Sequence, residues 1–343
     1  MAWLMRGEVQ HRRMKGDIMS KRLTCLISCS ALLVSACQPL EGDEALEGAG
    51  SGDTAVSTVE GAACTIPSFP KGSTWIWDLE NTSLPTNLNA QVYVVDLYGT
   101  TSTTIQAYKN AGKKVVCYFS AGSFENWRDD ADDFPQDTYC SPGENCNESI
   151  HIMGDWCDSS DSCEWWLDHR KQAVRDVMAA RIQLAKTKGC DAVEPDNVDA
   201  YSHDDEISCT DQACWGITAA DQLAYNRWLA DTAHANCLGI ALKNDVGQVT
   251  QLAPYFDFAI NEECQRYKEC GVYKTSFVAQ NKAVFNAEYR VDGGGDTMNW
   301  TSCTTASTYT CACGESNFAS GDMRTLVFKT ANVRYNNVGI TCW

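Results

Sequence analysis

Histidine is nearly missing from this chain, with five in 343 residues. Zinc hydrolases and metal-dependent deacetylases draw on clustered His and Asp ligands, and five scattered histidines do not supply such a set. Basic residues are also scarce: 27 Lys and Arg stand against 45 Asp and Glu, for a net charge of −18. That balance excludes nucleic acid and anionic lipid as partners and suits a cationic one, or plain solubility. No apolar run is long enough to span a bilayer as a stable helix. No glycine-rich phosphate loop follows the first strand pattern, which weakens a dinucleotide-binding reading.

What is present begins with a leader. Met19-Ser20-Lys21-Arg22 reads as a start with a basic n-region, and Leu23 to Val34 as a short apolar core. Val34-Ser35-Ala36-Cys37 fits a lipobox in which Cys37 takes the lipid, although an ordinary cleaved signal also places small residues there. Either reading exports the protein, to a bacterial outer membrane or cell surface or into the medium, with membrane contact only through the lipid. Residues 38–63 are small and acidic, as in a flexible tether. Residues 64–343 then form one domain of a length that suits a barrel.

Three of the 19 cysteines (Cys25, Cys29 and Cys37) fall in the leader, and 16 remain, an even number. An exported chain with that many reads as disulfide-stapled. Cys264 and Cys270 are near enough to bridge locally, and Cys311 and Cys313 are expected to pair elsewhere. Cys117 and Cys190 fall on strand patterns and are expected as free buried thiols.

Strand and helix patterns alternate through the domain. Strands are expected at 74–79, 92–98, 114–120, 191–193, 240–245, 256–262, 283–289 and 324–329. Helices are expected at 103–111, 165–188 (closed by Gly189) and 218–236, where Thr218 and Asp221 resemble a capping box. Eight strands with crossovers predict an α/β fold, a (β/α)8 TIM-barrel-like single catalytic domain, with an open doubly wound sheet as the alternative. Residues 126–164, rich in Cys, Asp and Trp, interrupt the pattern and are expected to rim the site.

The fourth strand runs into Glu194-Pro195-Asp196-Asn197-Val198-Asp199. Pro195 is expected to end regular pairing there. The bland alternative is a loop whose Asp and Asn only cap the next helix. Polar residues recur at other strand ends: Asp78, Asp96, Ser120, Lys243 with Asn244, Glu262 and Glu288. A barrel brings those ends to one rim, and converging carboxylates without metal-binding histidines point to glycoside hydrolysis, which needs a proton donor and a nucleophile or base. Among Trp75, Trp77, Tyr98, Tyr118, Phe124, Trp127, Tyr201 and Tyr289, two or three are expected to face sugar rings. No cofactor or metal is required by this chemistry.

Val116-Cys117-Tyr118-Phe119-Ser120-Ala121-Gly122, Pro195-Asp196-Asn197-Val198-Asp199, Leu242-Lys243-Asn244 and Asn261-Glu262-Glu263-Cys264 together resemble glycoside hydrolase family 114. The resemblance covers about residues 75–289; none of these motifs is specific alone. It implies a TIM-barrel-like endo-α-1,4-polygalactosaminidase acting on a cationic, galactosamine-containing exopolysaccharide such as that of biofilms. It places the catalytic pair on Asp196 and Glu262, with Asp196 as nucleophile by analogy with retaining α-glycosidases. The Asn-Glu-x-Cys match favours Glu262 over its neighbour Glu263, and Glu262 must then start protonated. Substrate contacts are expected from Asp78, Asp96, Tyr118, Ser120, Asn197, Asp199, Lys243, Asn244, Glu288 and Tyr289. A monomer is expected. The rival readings are a non-catalytic surface lipoprotein that binds cationic polysaccharide, and a barrel glycosidase for another α-galactan. Residues 291–314 match no motif of the family.

Overall fold

The computed structural model describes residues 64–135, 164–203, 217–290, 297–300, 321–330 and 332–342. The leader, Cys37 and the linker lie outside them, as do Cys311, Cys313 and most of the insertion at 126–164.

All eight expected strands form: β1 (Trp75–Asp78), β2 (Val92–Asp96), β3 (Lys114–Ser120), β6 (Ala192–Asp196), β7 (Gly239–Lys243), β8 (Phe258–Glu262), β9 (Val284–Tyr289) and β10 (Met323–Phe328). A short hairpin of β4 (Ser123–Glu125) and β5 (Glu164–Trp166) lies between β3 and β6, and β11 (Val338–Cys342) follows β10. The main sheet has the order β1-β2-β3-β6-β7-β8-β9-β10-β11. Every neighbouring pair is parallel except β10 with β11. These strands are apolar on both faces and buried almost throughout, as a parallel sheet covered by helices requires.

Side-chain alternation assigns one face of each strand to the barrel interior. Trp75 stacks on Phe285 at 5.0 Å between ring centres, and Phe69 on Phe258 at 4.2 Å. These rings fill the N-terminal end of the barrel. Toward the C-terminal ends of the strands the interior turns polar, at Glu194 and Asp196 on β6, Lys243 on β7, Glu262 on β8 and Tyr289 on β9, and that change positions the site.

The barrel closes without a β1–β10 ladder, because β11 occupies the edge of β10 that would face β1. The seam is held instead by Trp75 Nε1 donating to the Arg324 carbonyl (3.0 Å), Arg324 Nε to the Gly72 carbonyl (3.0 Å) and Leu79 N to the Val333 carbonyl (3.1 Å).

Three helices sit where the pattern predicts. In α1 (Ser102–Asn110) Thr101 caps the start, and in α3 (Ala219–Ala235) Thr218 and Asp221 form a full capping box. Helix α2 (Gln172–Lys188) ends at Gly189, whose φ of 92° is the left-handed C-cap geometry. Its start differs from expectation. Residues 164–166 form β5, paired antiparallel with β4, so the helix begins at Gln172 instead of Trp165. Two adjacent tryptophans pack well on a pleated ribbon, and the partner strand outweighs the helical period.

Two further expectations are corrected. Pairing does not stop at Pro195: toward β3 the register continues through Phe119–Pro195 and Ser120–Asp196, while toward β7 it ends at Val193–Ile240. Cys117 and Cys190 are not free thiols but one disulfide, their Cα atoms 6.1 Å apart. Cys117 points away from the barrel interior on β3 and Cys190 precedes the adjacent β6, so the two face each other behind the sheet. Cys264–Cys270 bridges as expected, and Cys64–Cys237 ties the start of the domain to the end of α3.

Candidate active site

At the C-terminal ends of β6, β7 and β8, three charged residues point inward and meet. Lys243 Nζ lies 2.8 Å from Asp196 Oδ1 and 3.0 Å from Glu262 Oε2. Glu194, two residues before Asp196 on the same face of β6, places Oε1 3.9 Å from that ammonium, and its Oε2 accepts from the Trp77 indole at 3.1 Å. The Lys243 ammonium also sits over the Trp77 ring, 5.0 Å from its centre. Burial disfavours the lysine charge, but Asp196, Glu262 and Glu194 outweigh it and raise its pKa, so Lys243 is a fixed cation. Burial pushes the Glu194 carboxyl well above the usual carboxylate range, against the pull of Lys243.

Tyrosines reach both outer carboxylates. Tyr118 Oη donates to Asp196 Oδ2 at 3.0 Å, and Tyr289 Oη donates to Glu262 Oε1. Burial raises both phenols, so they remain donors. Asn244 closes the Glu262 side, its Oδ1 accepting from Glu262 N at 2.9 Å. Asp196 is the more open acid, its side chain 17% exposed against 5% for Glu262.

The backbone turns sharply after each of the three residues. Asn197, Asn244 and Glu263 all have positive φ, at 58°, 47° and 60°. Asn tolerates this left-handed region better than most residues; such geometry costs about 1–3 kcal/mol and persists where surrounding contacts enforce it. At Asn197 the enforcement is visible. Its carbonyl lies so near Gly122 that a Cβ there would come within 1.5 Å of it, and its Nδ2 donates to Ser120 Oγ (2.8 Å), Ser123 Oγ (3.1 Å) and Glu164 Oε1 (3.1 Å).

The model of glycoside-hydrolase family GH114 matches residues 56–343. The chain belongs to family GH114. The crystal structure of Aspergillus fumigatus Ega3 in complex with galactosamine is 34% identical over 80% of this chain and 98% of that chain, with a TM-score of 0.63. The glycoside hydrolase domain of PelA from Pseudomonas aeruginosa is 13% identical over 63% of this chain and 84% of that chain, with a TM-score of 0.45. A comparison with curated proteins found no match. The chain is thus a glycosidase on a (β/α)8-type barrel.

Not every expected residue joins the GH114 site. Asp78 is fully buried on the outer face of β1, and its oxygens accept from the backbone of Glu80, Asn81 and Tyr335 and from the Asn81 side chain. It shapes the rim rather than offering an acceptor to a sugar. Glu288 points the other way from Tyr289, into the layer outside the sheet, where Gln265 N and Asn286 Nδ2 donate to it. Burial raises that carboxyl to about 8. Asp96 faces inward but is engaged by Tyr98 N, Gly99 N and Arg128 Nη1. Asp199 lies 3.4 Å from His203, beside a second buried acid, Asp245. Of the eight aromatic candidates, Trp75, Trp77, Phe124, Tyr118 and Tyr289 are buried, whereas Tyr98, Trp127 and Tyr201 are partly open.

Sequence reasoning missed a second buried network beside the first. Arg128 binds Glu125 with two nitrogens, both at 2.8 Å, and Asp96 at 2.6 Å. On the hairpin, Glu164 accepts from Ser123 Oγ and Asn197 Nδ2. Burial and then Glu125 push Glu164 up to about 8. The available signal was two acids inside aromatic runs, Phe124-Glu125-Asn126-Trp127 and Glu164-Trp165-Trp166.

Proposed function

We propose that this GH114 protein hydrolyses an α-1,4-linked polymer of galactosamine by double displacement, with Asp196 as nucleophile and Glu262 as acid and then base. The observation that carries the reading is the pair of carboxylates held by one lysine. Bonds of 2.8 and 3.0 Å to a single nitrogen keep their nearest oxygens within about 6 Å of each other, which brings both acids to one glycosidic bond and supports the ~5–5.5 Å spacing of retaining enzymes. In the first step an Asp196 oxygen bonds to the anomeric carbon as the glycosidic bond breaks, and Glu262 gives its proton to the leaving oxygen. In the second, water attacks that carbon, its proton passes to Glu262, and Asp196 departs as a carboxylate. The galactosamine bound in the Ega3 structure, and the acidity of this chain, support an amino sugar as substrate.

Incubation with galactosamine polymer is expected to release oligosaccharides whose new ends first appear with retained anomeric configuration by NMR. Turnover should fall as the polymer is N-acetylated, and binding should weaken as salt rises, because screening shortens charge interactions to about 8 Å near physiological ionic strength. Cleavage of a neutral α-galactan in preference to this polymer would assign a different substrate; binding without cleavage would make the protein a polysaccharide-anchoring lipoprotein.

We also propose, from Val34-Ser35-Ala36-Cys37, that the mature protein is exported and lipidated at Cys37. Cys37→Ala is expected to change the mature mass and move the protein out of the detergent phase. An unchanged mass and partitioning would show that no lipid is attached there.

A further inference from the structure

Ser120 and Asn197, expected as substrate contacts, direct Oγ and Nδ2 at the β4–β5 hairpin, which no step of the proposed mechanism uses. We propose that this hairpin positions the carboxylate of Asp196, acting through Asn197, and that Ser123 and Glu164 are positioning residues for the nucleophile. The inference rests on the assignment of Asp196 made above.

Asp196 is the last residue of β6, beyond the point where pairing with β7 ends. Its backbone is therefore held from one side, by β3 and the turn that leads from β3 into the hairpin. Ala121 N and Gly122 N both donate to the Asp196 carbonyl, at 2.8 and 3.1 Å, and Leu167 N, just past β5, donates to the Gly122 carbonyl at 2.8 Å. The next peptide reaches the side chain: Asn197 N donates to Asp196 Oδ1 at 2.8 Å. Beyond that nitrogen Asn197 is anchored twice. Its Nδ2 donates to Ser120 Oγ, Ser123 Oγ and Glu164 Oε1, and its carbonyl fills the space that Gly122 leaves by having no Cβ. With both anchors in place, the φ of 58° fixes the plane of the 196–197 peptide and so the direction of that N–H. The hydroxyls are ordered in one direction. Ser123 has a single hydroxyl proton and gives it to Glu164 Oε1, which leaves Ser120 Oγ as the donor to Ser123 Oγ. Ser120 Oγ in turn accepts from Asn197 Nδ2 and Ser123 N. The chain ends on Glu164, which is 3% exposed and so acts on a sugar only through Asn197 and Asp196. Freeing Asn197 lets the Asp196 carboxylate turn, and a displacement of about 1 Å at a reacting atom can cost about 10²-fold in rate.

The test uses the full protein and reads kcat and KM on galactosamine polymer, the dissociation constant of a galactosamine oligosaccharide, and the melting temperature. Gly122→Ala removes no polar group, but its Cβ would fall 1.5 Å from the Asn197 carbonyl oxygen and force that peptide to move. It is expected to lower kcat by about 10²-fold while the dissociation constant stays at the wild-type value. Glu164→Ala removes the last acceptor of the chain and should lower kcat in the same way, again without weakening binding. Glu164→Gln, which offers an oxygen at the same place, should recover most of that loss. The Glu164 pair decides the matter if Gly122→Ala fails to fold. Activity is taken per folded molecule, because a hairpin that only stabilises the fold would lower the melting temperature and leave kcat alone. An unchanged kcat in Glu164→Ala, equal losses in Glu164→Ala and Glu164→Gln, or a loss carried by weaker binding would overturn the inference and leave the proposed function standing. A fully active Asp196→Asn, or a wild type inert on galactosamine polymer, would remove the assignment of Asp196 and this inference with it.

Discussion

Asp196→Asn is expected to lose turnover by on the order of 10⁴-fold or more, the scale seen when a nucleophile is removed from a cooperating site. Glu262→Gln should lose about 10²–10⁴-fold, the usual worth of a positioned general acid. The two losses should differ in kind. Asp196→Asn removes the group that forms the intermediate, so no substrate escapes its effect. Glu262→Gln removes protonation of the leaving oxygen, so a substrate with a good leaving group should form the glycosyl-enzyme at a rate near that of the wild type and then stall. Both variants replace a carboxylate by an amide of the same shape, and both should keep the Lys243 contacts and melt cooperatively. Glu263→Gln should be mild, because Glu263 pairs with Arg266 at 2.9 Å outside the lysine cluster. Full activity in either key variant, or a dead Glu263→Gln beside a live Glu262→Gln, would reassign the pair.

Arg128→Ala should produce the largest loss of stability, about 3–5 kcal/mol, the cost of breaking a buried ion pair from one side. The side chain is 9% exposed, and its two partners are Glu125, wholly buried, and Asp96, at 12%. Burial alone would lower the Arg128 pKa, yet Glu125 and Asp96 raise it well above the ordinary value. Without the guanidinium two carboxylates remain in low dielectric next to Glu164, and each must take a proton or draw in water. Chemical denaturation of Arg128→Ala and Arg128→Lys checks this: lysine keeps the charge but not the two-nitrogen grip on Glu125, and should recover only part of the loss. A change below about 1 kcal/mol in the alanine variant would mean the network is solvated.

The strands and their exits were legible because each signal was local. A short apolar run ending in Asp, Lys or Glu has one reading when it recurs at five strand ends (Asp78, Asp96, Asp196, Lys243 and Glu262), and Asn197 and Asn244 mark positive-φ turns that suit asparagine. What was not legible depended on distance along the chain. Glu262 was separated from Glu263 by the Asn-Glu-x-Cys match, but Asp78 and Glu288 sit on the outer faces of β1 and β9, and only the neighbours of those strands decide which face is inward. The Cys117–Cys190 bridge spans 73 residues and becomes visible only when β3 and β6 are known to be adjacent. The tryptophan pair at 165–166 suited a helix until Ser123–Glu125 supplied a partner strand. Lys243 was read as a substrate contact because a lone lysine at a strand end carries no record of the three acids that enclose it.

The seam between β1 and β10 has a consequence for motion. A sheet hydrogen-bonded all the way round opens nowhere first, whereas this one has two ends, at β1 and β11, where fraying begins. Counted from those ends, β7 is the middle strand of the nine, and its neighbours β6 and β8 carry Asp196 and Glu262. Breathing that starts at either margin must cross three strands before it reaches the flanks of Lys243, so the charges that perform the chemistry rest on the part of the sheet that opens last.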